Sequence, residues 1–491
     1  MDRERRGKPT GTPSDIVNIK TMGRSKFRHA IALCAGLSLG MDLSGCVLSP
    51  AGTAEERAEI DATSKSYESR ASNHELPELP VEASWRNVLS RALQANGELE
   101  SAYFEWKAAL ARIDQAAVWP NSNVVLTFGY MFSSENVKAW NRTTLGVGFD
   151  PSMNLTLPVK ARAAGKVALD AAREAGDKFR AVKFEVQRKV LSAYFELAFT
   201  EEFIRIQQDN LALLNLLVES ANTRAQAGGP LQDLLKAQIE SRTAQNELAN
   251  TQASAASMRN GLNAMLARAA DAPLTLPTTI PAPRPIIADD EHLIAAGVAQ
   301  NPELAALAQQ VAGRQDAIEV ARLAYLPDFS PSASITGNIS QSIGTMLMLP
   351  SRRPALRAAL NEAQAMRESS EAMLRQTHQD RAASFVANLY LMRNAERQMQ
   401  LYRQQIIPAA QALVSSSRAA YAAGAVGFAD LVDSERMLLT MRRMLAEVEM
   451  EREERLIDLE ALAGVDVETL ASTARPETGP AALASTPGQG Q

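Results

Sequence analysis

Asp430 and Asp433 lie three residues apart, just after Gly424, in a stretch reading YAAGAVGFADLVD from 421 to 433. At that spacing both carboxylates share one helix face about one turn in length. Placed so, the pair repels anions and attracts cations or a basic partner. A related stretch, RAQAGGPLQD from 224 to 233, places Asp233 after Gly228. Glycine suits the left-handed backbone that ends a helix, and the aspartate that follows caps or approaches the next helix start. Other chemistry finds no support. His74, His292 and His378 are isolated, no His-x-x-His or nucleophile motif occurs, and no glycine-rich phosphate loop follows a strand. No catalytic residue, cofactor or metal centre is expected. Methionines cluster late in the chain (Met346, Met348, Met366, Met373, Met392, Met399, Met437, Met441, Met444, Met450). Thioethers bind Cu(I) or Ag(I), yet at helical spacing these read as core filler.

The two cysteines, Cys34 and Cys46, lie near the start. Arg24, Lys26 and Arg28 precede an apolar stretch too short to span a bilayer, the layout of a secretory signal, and Met22 is a plausible start for it. Leu43-Ser44-Gly45-Cys46 resembles the bacterial lipobox, which implies cleavage before Cys46 and lipidation of its thiol. Asp42, inside the apolar stretch, departs from that pattern, and Val47 after the cysteine resembles an outer-membrane address. Cys34 leaves with the signal, so neither a disulfide nor a thiolate metal site is expected. The mature chain keeps 43 Lys and Arg against 52 Asp and Glu, a net charge of −9. An acidic body fits poorly with nucleic-acid binding.

The elements that position these residues come in two copies. ALQANGEL at 92–99 recurs as GVAQNPEL at 297–304, and VLSAYF at 190–195 returns as VANLYL at 386–391. Each unit is about 200 residues long. Apolar residues alternate at Val124, Leu126, Phe128, Tyr130 and Phe132, and again from Leu145 through Leu157. The pattern repeats more weakly at 329–335 and 343–349, with Ser330, Ser332, Ser334 and Thr336 on the opposite face. Period two predicts strands, one hairpin per copy and four strands in all. The remainder reads as helix. Long uninterrupted runs are expected at about 159–227 and 354–423, each spanning on the order of 100 Å. Four single helices of roughly 36 residues are expected at 82–118, 231–268, 290–325 and 428–463, two stacked ends matching one long run. Positions from 234 to 265 and from 431 to 462 step by three and four as in coiled coils. Arg452 and Arg455 break the second series, which predicts a charged partner or solvent there. The division expected is an extension and signal at 1–45, a lipidated leader at 46–80, repeats at 81–268 and 290–464, a Pro-rich connector at 269–289 and a tail at 465–491. Leader and tail show no core-forming pattern.

Strands of this length cross an outer membrane when tilted, but four cannot close a barrel, for which about eight is the minimum. Three copies supply twelve. Tandem units of helix, hairpin, very long helix, tight turn and helix, behind a lipidated N-terminus, resemble the TolC-like outer-membrane efflux family over about residues 80–464. The stretch from Tyr421 through Gly424, Asp430 and Asp433 is similar to that family's Y-x-x-G-x5-D-x-x-D turn; the first-copy turn is similar but shorter from Gly228. The resemblance implies a mainly α fold with a small β part, whose coiled-coil helices form two tandem repeats and whose strands join a homotrimeric twelve-stranded transmembrane β-barrel. It implies a passive export duct anchored in outer-membrane lipid, joined by a periplasmic adaptor (membrane fusion) protein to an inner-membrane pump. It implies that Asp430 and Asp433, with Asp233, face the pore entrance, and that the adaptor grips the helix-turn tips at Arg224, Gly228, Tyr421 and Gly424. The family often carries an arginine two residues after the turn glycine that helps hold the entrance shut. Here that residue is Val426. The competing reading is a structural periplasmic coiled-coil lipoprotein acting as spacer or adaptor, which has no need of four amphipathic strands.

Overall fold

The computed structural model describes residues 46–64, 67–68, 76–80, 82–132, 137–150, 155–277, 286 and 289–466. The signal, Asp42, His74, residues 278–285 and 287–288 of the Pro-rich connector and the tail after 466 lie outside the described residues. In chain order the elements are β1 (Cys46–Val47), α1 (Thr53–Ser64), α2 (Trp85–Ala95), α3 (Gly97–Ala117), β2 (Val118–Trp119), β3 (Val124–Tyr130), β4 (Thr143–Phe149), α4 (Pro158–Gln226) and α5 (Leu231–Met265). The second copy supplies α6 (Asp290–Ala299), α7 (Pro302–Leu323), β5 (Asp328–Thr336), β6 (Ser340–Met348), α8 (Arg353–Leu401), α9 (Ile407–Ala422) and α10 (Phe428–Ala463). Among the described residues no helix is long and apolar enough to cross a membrane.

The 69-residue α4 starts with Pro158, whose missing N–H costs nothing in the first turn, and runs roughly 100 Å. It packs on α3 in its upper half and on α5 in its lower half, the expected two-tier bundle. It also packs along α7, so the two repeats interlock. Two expectations need correction. The upper short helices are each two helices, because Asn96 and Asn301 act as N-caps in mid-run: their side-chain oxygens accept from the N–H of Leu99 at 3.0 Å and of Leu304 at 2.8 Å. The second long helix is also not uninterrupted. Pro408 lies inside it, and Tyr402–Ile406 just before it is π-helical. A proline lacks the N–H for a carbonyl one turn back and clashes with it, and the wider π turn absorbs the mismatch.

The leader is not coreless in its described part. Ile60 and Tyr67 join Leu99, Tyr103, Trp106 and Phe179 in one cluster, and the Trp106 indole N–H donates to Glu56 at 2.8 Å. Arg452 is fully buried and meets a charged partner: its guanidinium lies 3.3 Å from Glu396 on α8 and also pairs with Glu453. Of the ten late methionines, Met392 and Met399 are buried in the core, whereas Met346, Met366, Met373, Met437 and Met444 are exposed, against the filler reading.

Asp170 on α4 is a buried acid facing Asp316 on α7, with Lys166 3.1 Å from Asp316 and Arg173 4.0 Å from Asp170. Burial, reinforced by the Asp316 carboxyl, pushes Asp170 up to about 6. A carboxyl raised in the folded state binds its proton there more tightly than in the unfolded chain. Its stabilising contribution is therefore full below pH 4 and is lost as pH rises from about 4 to about 6. Asp170→Asn is expected to flatten the stability profile across that window and to unfold at a higher temperature than wild type at pH 7.5. Thermal unfolding at pH 4.5, 6 and 7.5 checks this; equal pH slopes in both proteins contradict it.

Candidate functional site

At one end of the helices the two hairpins merge into a single antiparallel sheet in the order β3-β4-β5-β6. β4 pairs with β5 through Thr144↔Thr336, Gly146↔Ser334 and Gly148↔Ser332. The register sorts side chains by face. One face carries Val124, Leu126, Phe128, Leu145, Val147, Phe149, Phe329, Ile335, Ile343 and Leu347; the other carries Thr127, Thr144, Gly146, Gly148, Ser332, Ser334, Thr336 and Ser342, with Met346 and Met348 at one end. Hydroxyls pair across the second face, Thr144 with Thr336 at 3.0 Å and Ser334 with Ser342 at 2.8 Å. Leu126, Phe128 and Ile343 are exposed on the first face, the composition of a surface against lipid.

The small-residue face is the concave one. A Cβ placed on Gly148 would lie 2.8 Å from that of Ser332, and one on Gly146 would lie 3.5 Å from that of Ser334. Facing Cβ atoms on adjacent strands normally stand about 4.5–5.5 Å apart. The sheet curls toward its polar side, as a wall around water must.

At the other end each repeat turns on a glycine in left-handed backbone, Gly228 (φ +91°) and Gly424 (φ +71°). Gly229 N–H donates to Arg224 O and Ala425 N–H to Ala420 O, both at 2.9 Å, the closure expected after a left-handed helix cap. Matching glycines and helix starts (Pro230 and Gly427) show the first turn one residue shorter. The tips meet in one apolar cluster of Ala221, Ala237, Tyr421, Phe428, Leu431 and Val432, with Val426 packed against it. Arg224 spans the junction: its Nη2 donates to the Tyr421 carbonyl at 2.7 Å, and its guanidinium stacks 4.2 Å from the Tyr421 ring centroid. Val426 thus fills the tip core, and the arginine at this junction comes from the first repeat. The sequence reading named Arg224 and Tyr421 as tip residues but missed their bond; the usable signal was that Ala420 stands opposite Arg224 in the repeat.

The acids divide by task. The Asp430 carboxylate accepts from Gly427 N–H at 3.1 Å, capping α10. Asp433 is well exposed, 3.7 Å from Arg436. Asp233 holds the matching first-turn place in α5 as Asp430 does in α10. Cys46, exposed, sits on β1, which pairs with β2 at the top of α3, at the sheet end of the molecule.

A sequence profile described as outer membrane efflux protein matches residues 88–268 and 293–465. The chain belongs to that family. Among curated relatives, the cobalt-zinc-cadmium resistance protein CzcC of Cupriavidus metallidurans is 23% identical over 391 residues, covering 75% of this chain and 87% of its own. Among solved structures, CusC superposes with a TM-score of 0.66 at 18% identity, covering 78% of this chain and 93% of that one. The outer membrane protein VceC of Vibrio cholerae follows with 0.65 at 18% identity, covering 78% and 96%. At such identities the likeness is one of fold: a mainly helical chain with a few strands, built like these channels.

Two outcomes are expected from this geometry. Gly148→Ala should cut the yield of heat-stable assembly several-fold, whereas Gly129→Ala, whose added carbon would make only ordinary contact at 3.7 Å, should not; semi-native gels compare them, and equal yields contradict the concave face. Arg224→Ala should loosen the tip by roughly 1–2 kcal/mol. Hydrogen exchange at Gly424 and Ala425 should then accelerate about 5- to 30-fold, and unchanged exchange contradicts the latch.

Proposed function

We propose that three copies of this chain form a passive export duct through the outer membrane and periplasm, the outer component of a tripartite efflux or secretion assembly. The observation that carries this reading is the curved four-stranded sheet, apolar on its convex face and polar on its concave face, mounted on helices roughly 100 Å long. Three such sheets supply the twelve strands of a water-filled barrel, and the helices continue the wall into the periplasm. The duct performs no reaction. Energy and choice of cargo come from an inner-membrane pump, joined through a periplasmic adaptor that grips the tips around Gly228 and Gly424.

Lipidation of Cys46 fits this reading, because its strand lies at the sheet end, where an acyl chain reaches the same membrane. On the same reading the chain divides into the signal at 1–45, the lipidated leader at 46–80 and two duct-forming repeats at 81–268 and 290–464. Asp430 and Asp433 repeat three times around the entrance as two rings of carboxylates, with Asp233 adding acid from the other turn, so the entrance favours cations. The Arg224 bond to Tyr421 holds each chain's two tips together in the resting state. A purely structural spacer is disfavoured, since it has no use for four amphipathic strands.

Planar-bilayer recording tests the proposal. Purified protein should give stepwise, cation-preferring conductance, and Asp430→Ala with Asp433→Ala should lower the cation preference while conductance persists. A heat-stable assembly that never conducts, with or without those substitutions, would overturn the channel reading.

A further inference from the structure

The internal repeat makes one half of the chain a template for what covers the other. Aligning the turns on Gly228 and Gly424 places Leu217, Arg224 and Ala225 opposite Leu413, Ala420 and Tyr421. Aligning the helix starts on Pro230 and Gly427 places Leu231, Leu235, Ile239 and Glu240 opposite Phe428, Val432, Arg436 and Met437. Within the chain the leading face of the second hairpin is covered by the first hairpin. Phe428 and Val432 are only 3% and 6% exposed, and Arg436 reaches across to Glu240. The same face of the first hairpin has no cover: Leu231, Leu235 and Ile239 are 61%, 51% and 63% exposed. The trailing face of the second hairpin, which corresponds to the surface doing the covering, is bare as well, with Leu413 and Met437 exposed.

We propose that these two bare faces cover each other between copies: Leu231, Leu235 and Ile239 of one copy seat against Leu413 and Met437 of the next. This rests on the trimeric duct reading and specifies its seams. The pairing follows from the repeat. Where Arg436 meets Glu240 inside a chain, the corresponding residues across the seam are Ile239 and Met437, so an ion pair is exchanged for an apolar contact. Where Arg224 grips Tyr421 inside a chain, the corresponding residues are Ala420 and Ala225, so the latch has no counterpart. The bare stripe also continues the apolar tip cluster, whose partly buried Leu234 lies one residue from Leu235.

Around the ring the six seams therefore alternate. Three lie within chains, where an arginine latch and an ion pair, which salt weakens, add to the apolar tip cluster. Three lie between chains and are held by apolar burial alone, which screening leaves intact. Such a ring parts differently at its two kinds of seam. Raised salt acts on the seam inside each chain and spares the seam between chains.

The charge-swap experiment uses the full-length protein in detergent. Ile239→Arg should lose most of the trimer at a temperature the wild-type trimer survives, since a cation then faces Met437. Adding Met437→Glu recreates between copies the ion pair seen within one, and should restore the trimer to near its wild-type level. As a second readout, Ile239→Cys and Met437→Cys in two differently tagged, co-expressed copies should be joined between tags by a short bismaleimide, whereas Glu240→Cys with Arg436→Cys in one copy should be joined only within the chain. Overturning results are a trimer indifferent to Ile239→Arg, a double variant no better than the single, or no bismaleimide cross-link between tags in a trimer that forms normally. A wild-type chain that stays monomeric overturns the duct reading together with this seam; the other failures overturn the seam alone.

Discussion

A β-sheet inside hydrocarbon must have no free edge, because every unpaired N–H and C=O there costs several kcal/mol. The sheet of this chain has two, β3 and β6, and its convex face is apolar and exposed. That constraint organises the rest of the molecule. One chain cannot satisfy it, a closed ring of copies can, and the curl toward Gly146 and Gly148 sets the sense in which the ring closes. On the proposed reading three copies supply twelve strands, and the remaining elements hold the copies in register.

The helices do that work by length and by repetition. α4 runs the full height on its own, whereas its counterpart needs α8, a π turn and α9 to cover the same distance. α7 packs on both α4 and α8, so the repeats are cross-braced and do not behave as two independent bundles. The leader adds a further tie: β1 fastens Cys46 to β2, and α1 docks against Tyr103 and Trp106. Buried charge along these seams stands in partnered form, as with Arg452 between Glu396 and Glu453. Removing one partner strands the other in a site without water.

Local periodicity made much of this legible in the sequence. The alternation from Val124 to Phe132 predicted both a strand and the face it presents, and the stepping series from Leu234 marked α5. What periodicity could not see were interruptions that leave the apolar pattern intact. Asn96 and Asn301 cap new helices in mid-run, and Pro408 is absorbed by a π turn that keeps the flanking helices in line. Contacts between distant residues were also invisible: nothing near Arg224 announces Tyr421, and nothing near Arg452 announces Glu396. In the leader, Ile60 and Tyr67 are too sparse to form a pattern and gain meaning only against Trp106. At the tip, Asp430 and Asp433 were equivalent in sequence, whereas the structure gives the first a capping bond and leaves the second exposed.

The central claim is that three chains together close the sheet. Native mass spectrometry of the protein released from detergent micelles counts them directly. The account predicts one dominant species with the mass of three mature chains, and no stable monomer until the assembly is heated. A dominant monomer or dimer that retains its native helical content would contradict it, because the proposed duct takes twelve strands from three chains.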